Sequence, residues 1–279
     1  MAVGGVVNQR VPELRIDARN DRVADPSGEY VLYWMIMYRR RRYNFSLQRA
    51  VEWAKALGRP LLILEALRCG YDWASDRIHA FVLQGMAANV RGFAHAPVTY
   101  YPYVETELGA GKGLLAALAA RACVVVTDDF PCFMLPQMVA AAEKQIESRF
   151  EVVDSNGLLP LRAADKVYGR AVDFRRFLQK TLPAHLDHMP LADPLRAASL
   201  KKLRALPTDI RKRWSPASPH LLSGDSHQLA ALPIDHSVSP AAFKGGADVA
   251  RLRLDQFIRR GLGSYPDDRG DPDLAGTSG

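Results

Sequence analysis

Three cysteines, Cys69, Cys123 and Cys132, are all that 279 residues contain. An odd, widely spaced set with no CxxC pair argues against a disulfide framework and offers no zinc-ligand spacing. The expected compartment is reducing and cytoplasmic. Met1 to Asn20 lacks the apolar core of a secretory leader. No apolar run reaches membrane-spanning length: Leu114 to Val126 is short and is broken by Arg121. A soluble protein with no membrane partner and no evident protein partner is expected. Nucleotide fingerprints are missing too. Met35-Ile36-Met37-Tyr38 stands where a GxGxxG turn would follow the first strand. Gly109-Ala110-Gly111-Lys112-Gly113 lacks the first P-loop glycine and puts Gly113 where a magnesium-binding Ser or Thr would stand, so a glycine-rich helix start is expected. No Ser/His/Asp constellation can be assembled, and His79 and His95 are expected to be structural.

What is present is ordinary globular material. Hydrophobic residues make up 48% and charged residues 24%, enough to build one or two cores and too apolar for disorder. Lys and Arg outnumber Asp and Glu by 37 to 30, a net +7. That balance suits an acidic partner such as DNA, and equally a mixed solvated surface.

Residues 1–29 read as a polar extension without a clear element. Tyr30 to Met37 is then a continuous apolar run, as expected of a strand covered on both faces. Asn44 is placed to cap a helix through Leu57, with Leu47, Ala50, Val51 and Ala54 on one face and Gly58 as its stop. Further strands are expected at Leu61–Leu67, Pro97–Val104, Cys123–Thr127 and Phe150–Asp154. Helices are expected over Ser75–Ala94 (with Ile78, Phe81, Val82 and Gly85 inward), Gly111–Arg121 and Pro131–Arg149. Alternation of this kind predicts right-handed crossovers and an α/β domain over residues 30–186: an open, Rossmann-like, five-stranded parallel sheet flanked by helices. Seven prolines then punctuate a connector, residues 187–244, with a short helix expected over Pro194–Leu206. A last helix starts after Gly246, with Val249, Leu252, Phe257 and Ile258 near one face, and closes at Gly261. A polar tail follows.

Two charged clusters are candidates for binding. Arg39 to Arg42 follow the first strand and could hold a phosphate or acidic group, or form a solvated loop or interdomain contact. Asp128-Asp129 follow the fourth expected strand and could bind a ribose or metal; helix-start carboxylates are the preferred reading.

Several stretches, in order, resemble the DNA photolyase/cryptochrome family. Val31-Leu32-Tyr33-Trp34-Met35 with Arg42, Asn44 and Leu47 is similar to the opening of class II photolyases. Val124 to Asp128 is similar to that family's fourth strand and exit. Asp154, Asn156 and Pro160 look like its Asp-x-x-Asn-x-x-Pro turn, with the asparagine one position early and Ser155 standing where a histidine is usual. Gly245-Gly246 with Ala250, Leu254, Phe257 and Ile258 resembles the glycine-pair helix that opens the family's all-α FAD-binding domain. Tyr265, Arg269, Pro272 and Gly276-Thr277-Ser278 follow with family-like spacing, the last three closer to class I.

The resemblance implies a carbon–carbon lyase in which reduced, light-excited FAD donates an electron to a cyclobutane pyrimidine dimer flipped out of UV-damaged DNA. It implies a folate or deazaflavin antenna in the α/β domain. It assigns FAD contacts to Tyr265, Thr277 and Ser278 and a DNA phosphate contact to Arg269, and it names no catalytic residue here. Residues 245–279 would be only the start of the flavin domain, so the chain is expected to be an N-terminal portion, inactive alone. A cryptochrome-like blue-light signalling protein and a stand-alone α/β chromophore-binding domain remain alternatives.

Overall fold

The computed structural model describes residues 10–196 and 198–271. Strand β1 (Ile16–Ala18) precedes the expected rhythm, which runs β2 (Tyr30–Met35), α1 (Phe45–Leu57), β3 (Leu61–Leu67), α2 (Asp76–Phe93), β4 (Thr99–Val104), α3 (Leu114–Ala119), β5 (Ala122–Asp128), α4 (Leu135–Glu143) and β6 (Arg149–Val153). The helices α5 (Ala171–Thr181), α6 (Thr208–Arg213), α7 (Ser226–Leu229), α8 (Ala247–Gln256) and α9 (Tyr265–Asp268) follow.

The sheet order is β1-β6-β5-β2-β3-β4. Strands β2 to β6 are mutually parallel, and β1 pairs antiparallel with β6, Asp17 opposite Val152. The sheet therefore has six strands rather than the five expected. Three residues are too few for alternation to be read from sequence, so the extension hid an edge strand.

The continuous apolar run of β2 is explained by burial on both faces. Tyr30, Leu32 and Trp34 join one core with Leu114 and Leu118 of α3, Val139 of α4 and Trp214. Val31, Tyr33 and Met35 join the other with Phe45, Leu47, Ala50 and Val51 of α1. Each such side chain contributes about 1.5–3 kcal/mol when fully buried, and β2 and its neighbour β5 are buried along their whole length.

The helix α1 forms as its sequence requires. Asn44 accepts the Leu47 N–H at 3.0 Å, and Gly58 adopts the left-handed conformation (φ 59°) that ends it. Elsewhere the structure corrects the reading. In α2, Ile78 and Phe81 are exposed, whereas His79, Leu83 and Met86 are buried. The helix carries two apolar stripes, and the one with the more obvious large residues faces outward, Phe81 meeting Phe243 edge-on at 6.0 Å. No helix forms among the described residues of 194–206; the helical turn comes after Pro207, the N-cap of α6, with φ -52°.

The chain divides into two compact units: residues 1–68, 92–105 and 109–216, which hold the sheet, and residues 69–91, 106–108 and 217–279. In the second unit, Gly245 and Gly246 open α8 directly against α2. A Cβ on Gly245 would lie 2.0 Å from the Phe81 carbonyl oxygen, and Gly246 has φ 117°. The glycine pair is thus a requirement of packing. The apolar positions of α8 are not buried: Val249 and Leu252 are exposed, as are Leu254 and Ile258, and the helix passes into a π turn, Phe257–Gly261, that closes at Gly261 as expected.

Candidate functional sites at the strand edge and the α8–α9 turn

In open α/β sheets ligands bind beyond the carboxyl ends of the strands, where the strand order reverses. Here that point lies between β2 and β5. After β2 the backbone N–H groups of Ile36, Met37 and Tyr38 converge, and all three donate to one carboxylate oxygen of Asp128, at 3.0, 2.8 and 3.0 Å. The other oxygen accepts the Tyr33 hydroxyl at 2.7 Å. Asp128 is fully buried. The chain's own carboxylate therefore fills the seat that a ligand phosphate takes in nucleotide-binding sheets. Burial, reinforced by Asp128, raises the Tyr33 phenol well above its ordinary value, so it stays a donor.

The first turn of α1, a second anion-binding device, is also occupied. Asn44 caps it and donates to Tyr33 Oη, the Tyr38 carbonyl and the Arg40 carbonyl at 3.0, 2.9 and 3.0 Å. Ser155 Oγ accepts the N–H groups of Phe45 and Ser46 at 2.8 and 3.3 Å. Ser155, at the position where the resemblance expects histidine, thus works as an acceptor for the helix.

The four arginines are largely internal ties. Arg39 pairs with buried Glu65 at 3.1 Å, and Tyr100 donates to the same carboxylate at 2.6 Å. Arg40 holds the Tyr43 carbonyl, Arg41 pairs with Asp193 at 2.6 Å, and Arg42 is exposed. Asp129 pairs with Arg162 at 2.6 Å. Neither acidic residue is left for a ribose or metal, and among the described residues no group of three His, Cys, Asp or Glu is placed to hold a metal ion.

Two buried ion pairs escaped sequence reading. Arg15, 1% exposed, bonds Asp154 at 3.3 Å and the Gly157 and Leu158 carbonyls at 3.1 and 2.8 Å. Burial lowers the Arg15 value and raises that of Asp154, whose carboxylate also accepts the N–H groups of Asn156 and Leu161. The family-like Asp154–Pro160 turn is therefore folded around its own aspartate. Glu151, also buried, accepts both Arg49 nitrogens at 2.8 and 3.1 Å, Trp53 Nε1 at 2.8 Å and Arg149 at 2.7 Å. Arg15 and Asp154 are 139 residues apart in sequence and Arg49 and Glu151 are 102 apart, each pair on different elements; the local signal for the second was a carboxylate among the apolar residues of 150–153.

His79 is buried and stacks on Tyr71 at 5.8 Å, a structural placement, whereas His95 is exposed. A concavity of about 940 Å³ touches Ala122 and Ser148. It opens at the amino ends of β5 and β6, the wrong edge for an α/β ligand site.

Of the residues assigned to cofactor and DNA, Tyr265 begins α9, half-buried, its ring edge-on to Phe257 at 5.5 Å. Arg269 is exposed one turn later, its N–H bonded to the Tyr265 carbonyl at 3.1 Å. The two are four residues apart and share one side of the turn. Thr277 and Ser278 lie outside the described residues. No helix among the described residues is long and apolar enough to cross a membrane.

No family model matches the chain. It is 25% identical over 259 residues to a deoxyribodipyrimidine photo-lyase of Methanothermobacter thermautotrophicus, covering 92% of this chain and 53% of that protein. Its fold is similar to that of a bacterial class III photolyase from Agrobacterium tumefaciens, with a TM-score of 0.60 and 18% identity over 90% of this chain and 49% of the other. The chain spans about half the length of these relatives. The likeness in sequence to the photo-lyase and the likeness in fold to the class III photolyase point the same way as the motifs, toward the N-terminal domain of a DNA photolyase.

Proposed function

We propose that the chain is the α/β, connector and first flavin-domain portion of a photolyase-like DNA repair flavoprotein that splits cyclobutane pyrimidine dimers in UV-damaged DNA. The observation that carries this reading is the extent of the likeness to the photo-lyase, 259 residues that include both compact units. The same reading divides the chain into an extension to residue 29, the α/β domain to 186, the connector to 244 and the flavin-domain start beyond it. The exposed apolar positions of α8 and its π turn support it, because Leu252, Leu254 and Ile258 leave apolar surface of the kind a helical domain covers.

FAD, when bound in reduced form, supplies the light-driven electron. The residues here suit a supporting role. Tyr265 offers a hydroxyl at the α8–α9 turn, and Arg269, which has no carboxylate partner among the described residues, offers a permanent cation that positions a DNA phosphate. Thr277 and Ser278 hydroxyls would bind the cofactor's pyrophosphate or ribityl chain. A folate or deazaflavin antenna in the α/β domain would have to be held without the usual phosphate seat, since Asp128 fills it.

The test is a fusion of these 279 residues to the helical half of a photolyase. The residues alone are expected to hold no stoichiometric flavin, and the fusion to gain flavin absorbance and light-dependent dimer repair. In the fusion, Tyr265→Phe should weaken flavin retention. Arg269→Gln should weaken binding of dimer-containing duplex and leave flavin content unchanged. A well-folded fusion without flavin refutes the reading.

A further inference from the structure

The positive charge of this chain is not spread over its surface. Residues 196–213 hold seven of its Lys and Arg side chains (Arg196, Lys201, Lys202, Arg204, Arg211, Lys212 and Arg213) against one acid, Asp209. That is +6 of the chain's net +7, so the remaining residues are close to neutral. All seven cations are exposed. None forms an ion pair among the described residues, whereas Arg15, Arg39, Arg41, Arg49 and Arg162 all do.

The stretch is also held firmly. Leu206, Ile210 and Trp214 are buried in the sheet's core, and Leu195 and Ala198 in the core of the other face. Trp214 Nε1 donates to the Ala110 carbonyl at 3.0 Å, and the Tyr101 hydroxyl donates to the Trp214 carbonyl. Arg213 lies over the Trp214 ring, 4.4 Å from its centre. Seven like charges along one anchored segment repel one another, and apart from Arg213 on Trp214 no ion pair or ring contact holds them among the described residues, so their placement suits an external polyanion.

We propose that residues 196–213 form a surface on the sheet-bearing unit that binds the phosphate backbone of duplex DNA, independently of sequence and of any lesion. Arginine and lysine meet phosphates there through charge and hydrogen bonds, with release of condensed counterions. An anionic membrane is disfavoured by the same residues. Peripheral membrane segments insert apolar side chains, and here the large apolar residues of the stretch turn inward: no large hydrophobic between 192 and 242 is exposed. The surface needs neither flavin nor dimer, so it stands whether or not the repair reading does.

The test uses the whole chain, in the dark, with a short undamaged fluorescent duplex. Binding should weaken steeply from about 50 to about 200 mM salt, with a log–log slope between about -4 and -6. The variant K201Q/K202Q/R204Q/R211Q/K212Q keeps Arg213 on Trp214 and alters only exposed positions. It should bind at least about tenfold more weakly at low salt and lose about 4 from the slope, with an unchanged thermal midpoint. A control removes five charges elsewhere, by Gln at Lys166, Arg170, Arg175, Arg176 and Lys180, and should change affinity less than about twofold. Equal losses in the two variants overturn the proposal, because the effect would then be net charge alone. So does unchanged binding in the first variant, or binding to phosphatidylserine vesicles without binding to the duplex.

Discussion

Helices α1 and α8 are similar in length and each is bounded by glycine, yet they are held in opposite ways. The first has a side-chain cap, a left-handed glycine stop and seven buried residues. The second has no side-chain cap and no buried residue, and its fixed point is the glycine pair pressed on α2. One helix is specified at both ends and along its face. The other is specified where it starts and presents its apolar side chains outward. A helix of ten residues has little stability of its own, so α8 depends on what it touches.

The largest effect should come from cutting the tie between α1 and β6. Burial works to raise the Glu151 carboxylate, but hydrogen bonds from Arg49 and Trp53 outweigh it and hold the group below its ordinary 4.5. A depressed carboxylate contributes stability that is present above its unfolded value and lost as pH falls through its folded one. Glu151→Gln should cost about 3 kcal/mol at pH 7, since it takes the buried carboxylate from Arg149 and leaves Arg49 only its pairing with Glu52. The gap between wild type and variant should narrow as pH drops below 4.5. Urea unfolding at several pH values measures it, and a gap constant with pH would show that the charge on Glu151 is not what ties α1 down.

Of similar size is Asn44→Ala. It removes the cap, worth about 1 kcal/mol, and strips a buried donor from the Tyr38 carbonyl and the Tyr33 hydroxyl, so a loss of about 3 kcal/mol is expected. Denaturant titration reads it. A loss below about 1 kcal/mol would mean that water replaces the amide and that the strand-edge network is looser than its distances indicate.

These two residues also mark how far the sequence could be read. Asn44 and Gly58 announced α1 because a cap and a stop act on their immediate neighbours. The β2 run announced itself because burial on both faces removes alternation. The role of Asp128 was hidden, since its donors at Ile36, Met37 and Tyr38 are about ninety residues away and only the fold joins them. Ser155 was hidden for the same reason; it read as a departure from a family pattern, and the structure makes it an acceptor for α1. Tyr265 and Arg269 were legible through resemblance alone, because a four-residue helix at an exposed turn has no periodicity to betray it. The α2 face was misread because two apolar stripes compete, and the choice between them rests on packing rather than pattern.

The smallest effect is the most discriminating for α8. Leu252→Gln and Ile258→Gln replace exposed apolar side chains, 64% and 52% accessible, and each should shift stability by less than about 0.5 kcal/mol. The equivalent change on α1, Val51→Gln, buries an amide in the core and should cost several times more. The contrast holds only if α8 is as unsupported in solution as it is here. A cost above about 1 kcal/mol for Leu252→Gln would mean that its face is already covered in the isolated chain, and the support α8 lends to a flavin-domain reading would go with it. Hydrogen exchange supplies the independent check. The α8 amides should exchange near the rate of free peptide beyond the first turn held by Gly245 and Gly246, while those of α1 should open only with the whole sheet.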